Sequence, residues 1–159
     1  MDYKVPSQTR IGHVHLKVSG IDKALKFYRD ILGFEVTERL GDQAVFLSAG
    51  GYHHHIGLNT WNSLNAPKAS RSGVGLFHAA ILYENRKELA DITRRLLEKN
   101  YPLTGAADHG VSEAIYLDDP DGNGIELYWD KPRENWPLKE DGSIRMYTRN
   151  LDLESLLQS

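Results

Sequence analysis

Hydrophobic and polar positions along this chain switch from an alternating pattern to a helical one and back, and the second half then repeats the sequence of switches. Residues 11–18 alternate and are rich in Val and Leu, as in a strand that buries one face. Ile21, Leu25, Tyr28 and Leu32, joined by Ala24 and Ile31, mark one face of a helix. Ser19 followed by Asp22 resembles a capping box that opens it, and Gly33 suits its end. Residues 34–40 and 43–49 read as strands about the turn Gly41-Asp42, and 52–61 reads as a third after Gly50-Gly51.

The second half runs in the same order. Residues 75–83 form an apolar strand. Asn85 with Glu88 caps a helix whose face is Leu89, Ile92, Leu96 and Leu97, and Asn100 serves as its left-handed C-cap. Residues 101–104, 114–117 and 124–129 read as strands, with a hairpin signal at Asp121-Gly122-Asn123-Gly124. Each half is therefore β-α-β-β-β, at an offset of about 65 residues, and the expected class is α+β. We expect one domain over 9–132: module one at 9–62, a linker at 63–73 and module two at 74–132. A tail, 133–159, carries Trp136-Pro137 and ends in a short amphipathic helix at 152–157.

Composition narrows the chemistry. With 159 residues, 40% hydrophobic and 26% charged, the chain suits one domain with a real core. A formal charge of −3 without a Lys/Arg run gives no electrostatic footprint for nucleic acid. The absence of cysteine excludes disulfides, thiolate catalysis and Cys-ligated metals, so any metal must sit on N and O donors. No apolar run approaches membrane length and the first residues lack an apolar targeting core, so the expected compartment is the cytoplasm.

Within that frame, His13, His78 and Glu126 stand out. The histidines occupy matching places in the repeat: His13 precedes Ser19 by six positions and His78 precedes Asn85 by seven. Glu126 lies in an apolar strand between Ile125 and Leu127, where a carboxylate needs a partner. Two imidazoles and a carboxylate form a 2-His-1-carboxylate set with open positions, suited to Fe(II). Asp118, Asp119 and Asp121 lack EF-hand spacing and read as acids of a turn. Tyr116 reads equally as a core aromatic or a site residue. In His53-His54-His55, alternation would send His54 to one face and its neighbours to the other.

Three segments carry a resemblance to a known superfamily: His13 five positions before Val18, Phe27-Tyr28 with Leu32-Gly33-Phe34, and the run Asp119-Pro120-Asp121-Gly122-Asn123-Gly124-Ile125-Glu126. Over residues 9–132 the chain resembles the vicinal-oxygen-chelate superfamily, which includes glyoxalase I, bleomycin-resistance proteins and extradiol dioxygenases. The resemblance implies two βαβββ modules paired into one curled mixed sheet enclosing a metal cleft, with His13, His78 and Glu126 as ligands. Within the superfamily the chain looks most like catechol 2,3-dioxygenases. That implies catalytic roles for His54, Tyr116 and His109, Fe(II) with Mn, Ni or Zn as alternatives, and a small aromatic diol and dioxygen as substrates. It also implies a homo-oligomer, a dimer; the charge and the lack of a long apolar run give the expectation of no nucleic-acid or membrane partner. Glyoxalase I uses a further Glu on the last strand of the first module, where this chain has His55-Ile56-Gly57-Leu58. A metal-dependent lyase, isomerase or thiol transferase, and a metal-free binder of the bleomycin-resistance type, are the competing readings.

Overall fold

The computed structural model describes residues 2–68, 70 and 72–159. The chain divides into two compact units, Met1–Pro67 and Lys68–Ser159. The expected linker, 63–73, spans that division, and its residues 69 and 71 lie outside those described. The first unit contains β1 (Val14–Lys17), α1 (Ile21–Tyr28), β2 (Glu35–Leu40), β3 (Ala44–Ser48) and β4 (Ile56–Asn59). Its sheet has the order β1-β4-β3-β2, with β1 and β4 parallel and the other pairs antiparallel. The second contains β5 (Ala79–Tyr83), α2 (Arg86–Glu98), β6 (Leu103–Asp108), β7 (Ser112–Asp118) and β8 (Gly124–Asp130). Its order, β5-β8-β7-β6, is the same, and β9 (Arg149–Asn150) adds a strand beside β6. The class is α+β, with one mixed sheet per module.

Each helix covers one face of its own sheet. Ile21, Ala24, Leu25, Phe27 and Tyr28 of α1 are buried, as are Leu16, Val45, Leu47 and Leu58 on the strands. Alternation therefore places His15, Phe46 and Gly57 on the face away from α1. In module two, Leu89, Ala90, Ile92 and Leu96 of α2 are buried, as are Ile115, Leu117, Ile125 and Leu127. The face away from α2 then carries Ala80, Tyr116 and Glu126.

The repeat holds in register as well as order. Val14 and Ala79 stand 65 apart, as do Ile21 and Arg86; Glu35 and Leu103, and Ala44 and Ser112, stand 68 apart. The difference arises at the helix, where α2 is longer than α1. A β-bulge occurs at the same place in both sheets, between Val36 and Glu38 and between Leu103 and Gly105. Following the ladders outward from the bulges matches Phe46 with Tyr116, Gly57 with Glu126 and His15 with Ala80.

Several boundaries differ from the sequence reading. Gly20, not Ser19, is the N-cap of α1, and no side chain caps it. That helix ends at Tyr28, because the Asp30 and Leu32 N–H groups reach back five residues, to the Leu25 and Phe27 carbonyls. Gly33 still takes the left-handed conformation, at φ +87°. In module two, Asn85 caps α2 by accepting the Glu88 N–H at 3.0 Å, and Asn100 is left-handed at φ +52°. Asp119, 2% exposed, accepts from the Asp121 and Asn123 N–H groups and the Asn123 amide, each at 2.8 Å. It is a turn-forming acid. Asp152 caps the last helix, α3 (Leu153–Leu157). Arg86 ties that helix to the sheet, donating to Glu113 at 2.7 Å and to the Ser155 carbonyl at 3.0 Å.

Candidate active site

In module two, four side chains form one hydrogen-bonded row. His78 directly precedes β5, as His13 directly precedes β1. Both were expected inside their strands. Its Nε2 lies 2.9 Å from Glu126 Oε2. Tyr116, opposite Glu126 on the neighbouring antiparallel strand, donates its hydroxyl to Glu126 Oε1 at 2.8 Å. The same hydroxyl lies 2.6 Å from His109 Nε2. His109 is held in the β6–β7 turn, where its N–H donates to the Ser112 carbonyl and Gly110 is left-handed at φ +81°. Burial, then the hydrogen bond to Glu126 and its charge, push the Tyr116 hydroxyl pKa well above its usual value. Tyr116 therefore stays a phenol, with its O–H directed at Glu126.

The closeness of His78 to Glu126 depends on Gly124. A Cβ there would lie 2.1 Å from the Phe77 carbonyl oxygen and 3.3 Å from His78 Cα. Only a glycine lets the chain entering β5 run so near the start of β8.

The N and O donors of His78 and Glu126 are of a kind and spacing that would suit a divalent ion. Two donors about 2.1 Å from an octahedral ion, at right angles, stand about 3 Å apart; Nε2 and Oε2 are 2.9 Å apart. His78 Nδ1 is buried and has no hydrogen-bond partner among the described residues. With Nε2 donating to the carboxylate, Nδ1 is left as an isolated lone pair, a cost of roughly 1–3 kcal/mol. A cation held by Nε2 would place the ring proton on Nδ1, equally buried and equally without a partner among the described residues. Among the described residues no three His, Asp or Glu groups gather round one point. His78 and Glu126 are thus brought together, while His13 lies in the other unit.

Module one supplies a histidine cluster. The His13 and His54 rings meet at 4.4 Å between centroids, tilted by 52°, and His54 also meets Phe46 at 5.1 Å. Residues 52–55 are not strand, since β4 starts at Ile56. The expected alternation of His53, His54 and His55 is therefore corrected: His53 Nδ1 and His54 Nδ1 are 2.7 Å apart, on one side. His55 turns instead to Ser48 Oγ, at 3.2 Å. Partial burial, followed by the positive potential of His13, His53, His15 and His55, lowers the His54 pKa.

Sequence reasoning missed His15 and Gly57. A Cβ on Gly57 would lie 3.0 Å from the His15 ring, which also contacts Phe46 and Trp61. Module two reverses this volume: Ala80 is small and Glu126 is large, at the matching pair of positions. The position that would carry a fourth carboxylate is therefore glycine, and an imidazole fills its space. The signal was the His13-Val14-His15 spacing, which puts both rings on one face of an extended chain.

Comparison with known proteins agrees with this architecture. The family model described as Glyoxalase/Bleomycin resistance protein/Dioxygenase superfamily matches residues 10–127. A catechol-2,3-dioxygenase of Bacillus subtilis (strain 168) is 40% identical over 154 residues, covering 97% of this chain and 53% of that protein. This chain thus spans about half the length of that relative. A biphenyl-2,3-diol 1,2-dioxygenase 3 of Rhodococcus globerulus is 29% identical over 138 residues, covering 87% of this chain and 70% of that one. Among solved structures, a lactoylglutathione lyase from Agrobacterium tumefaciens matches with a TM-score of 0.61 at 25% identity, over 79% of this chain and 96% of that one. With its matched span, repeated βαβββ modules and a paired His–Glu donor set, the chain belongs to the glyoxalase/bleomycin resistance/dioxygenase superfamily.

Proposed function

We propose that this chain cleaves a catechol-type aromatic diol with dioxygen, in the extradiol manner, using Fe(II) held by His13, His78 and Glu126. The observation that carries this reading is the row Glu126–Tyr116–His109. It leads from a carboxylate donor through two groups able to give or take a proton. The Bacillus relative named a catechol-2,3-dioxygenase supports the substrate class. Glycine at position 57 supports three protein ligands over four.

When bound, the ion would supply a positive, redox-active centre that favours the deprotonated diol. Manganese, nickel or zinc would suit the same N and O donors less specifically. His54 takes a proton from a diol hydroxyl and returns it as the ring opens. Tyr116, kept protonated, and His109 beside it hydrogen-bond a substrate oxygen and orient it. The ring opens beside the diol, and the product is of the 2-hydroxymuconic-semialdehyde type.

Anaerobic purification, Fe(II) loading and oxygen uptake with a panel of catechols test the proposal. A yellow product formed with matching oxygen consumption is the expected result. An oxygen-independent lyase or isomerase is the second reading, favoured by the likeness to lactoylglutathione lyase. Turnover of a hemithioacetal without oxygen, and no catechol turnover, would replace the first reading with the second. Failure to bind metal at all would point to a small-molecule binder.

A further inference from the structure

The tail after β8 packs against His109. Tyr147 N–H donates to the His109 carbonyl at 3.2 Å, and the Tyr147 carbonyl oxygen lies 3.0 Å from His109 Nδ1. Residues 109 and 147 are thus clamped in both directions by the backbone of one tail residue. β9 extends the contact, pairing Arg149 with Asp108 and Asn150 with Ala107. The Arg149 guanidinium lies over the Tyr147 ring, 4.3 Å from its centroid. On the turn itself, a Cβ at Gly110 would lie 2.7 Å from Tyr147 Cε1 and 2.9 Å from Pro137 Cγ. Asp108 fixes the other side, accepting from Gly110 N–H at 2.7 Å and from Lys131 Nζ at 2.8 Å.

We propose that this tail is a positioning element: the Tyr147 carbonyl holds the ring proton of neutral His109 on Nδ1 and so leaves Nε2, which faces Tyr116, without one. A backbone carbonyl has no proton to give, so at 3.0 Å the ring must be the donor. Without that partner, the row itself favours the opposite tautomer. Nε2–H would donate to Tyr116, and Tyr116 would donate to Glu126, satisfying both links. The tail reverses that preference. In the neutral ring Nε2 then presents a lone pair, and the single Tyr116 proton stands between two acceptors, Glu126 Oε1 at 2.8 Å and His109 Nε2 at 2.6 Å, whereas an imidazolium would donate from both nitrogens. In effect, a segment outside the repeated modules sets the direction in which the row can pass a proton. The functional consequence rests on the reading of Tyr116 and His109 as site residues.

The test uses metal-free, full-length protein labelled with ¹⁵N at histidine, without substrate. It is therefore decided separately from any dioxygenase assay. Long-range ¹H–¹⁵N spectra distinguish a protonated from an unprotonated Nδ1, and a His109→Asn variant identifies the His109 signals by their loss. We expect a protonated Nδ1 and an unprotonated Nε2. An unprotonated Nδ1, or a proton on both ring nitrogens, in the intact chain overturns the proposal. Gly110→Ala, which pushes the turn off the Tyr147 ring, should shift the ring toward Nε2–H. Thr148 Oγ1 also lies 3.2 Å from Nδ1. Thr148→Val should leave the signal unchanged, and loss of the Nδ1 proton there would assign the role to the hydroxyl and overturn the carbonyl's. Should Gly110→Ala fail to fold, the wild-type and Thr148→Val spectra still decide the question.

Discussion

Replacing Gly124 with alanine is expected to separate His78 from Glu126 and to abolish stoichiometric metal binding. The new methyl carbon would meet the Phe77 carbonyl oxygen at 2.1 Å, far inside contact distance, and the atoms it meets are all backbone. No side-chain rotation relieves that overlap, so the segment entering β5 must move away from β8. Overpacking of this kind costs about 1–3 kcal/mol, and more where backbone must shift. Denaturant midpoints would read the loss of stability, and equilibrium dialysis with Fe(II) or Co(II) the loss of binding. Gly105→Ala is the control, since its Cβ would only touch Tyr116 at 3.7 Å and its backbone needs no positive φ. Wild-type metal affinity in Gly124→Ala would show that the close approach does not hold the ligand pair.

His54→Gln should keep metal and substrate binding but lose turnover by about 10²- to 10⁴-fold, the usual span for a general acid–base group. Glutamine still hydrogen-bonds but cannot carry a proton near neutral pH. His55→Gln should do much less, because His55 is directed at Ser48 and the Ala49 N–H. His53→Gln should fall between, acting through the 2.7 Å contact that orients the His54 ring. Steady-state kcat and KM, with metal content measured on each variant, separate these outcomes. If His54→Gln loses its metal, His54 is a ligand and the proton carrier lies elsewhere.

Much of the fold was legible because the hydrophobic period changes cleanly from 2 to 3.6, twice, in the same order. Asn85 and Asn100 also read correctly, since each has a local physical cause, a cap and a left-handed turn, whereas Gly33 is left-handed but lies beyond the end of its helix at Tyr28. Residues 52–55 misled because a run of aromatic and His residues before Ile56 looks extended whether or not it is paired. Strand pairing is a property of the neighbour, and β3 takes up only 56–59 beside it. His109, Tyr116 and Glu126 were named in advance, and the structure joins them with His78 into one row. Their connection to Tyr147 had no sequence signal, because the contact uses a backbone carbonyl, which every residue possesses. His15 and Gly57 were likewise hidden, since recognising them depends on the register of two parallel strands 42 residues apart.

The parallel pairing of β5 with β8 also bears on when the site comes into being. β6, β7 and β8 are sequential antiparallel neighbours joined by short turns, so their ladders close small loops. His78 and Glu126 are 48 residues apart, and their contact closes across α2 and both hairpins. Loop-closure entropy places such a contact late in folding, after local pairs have formed. The imidazole–carboxylate pair is thus assembled last, on a meander already in place. Pulsed hydrogen exchange should protect the β6–β7 amides before those of β5. Protection of β5 first would mean that the pair seeds the module rather than completing it.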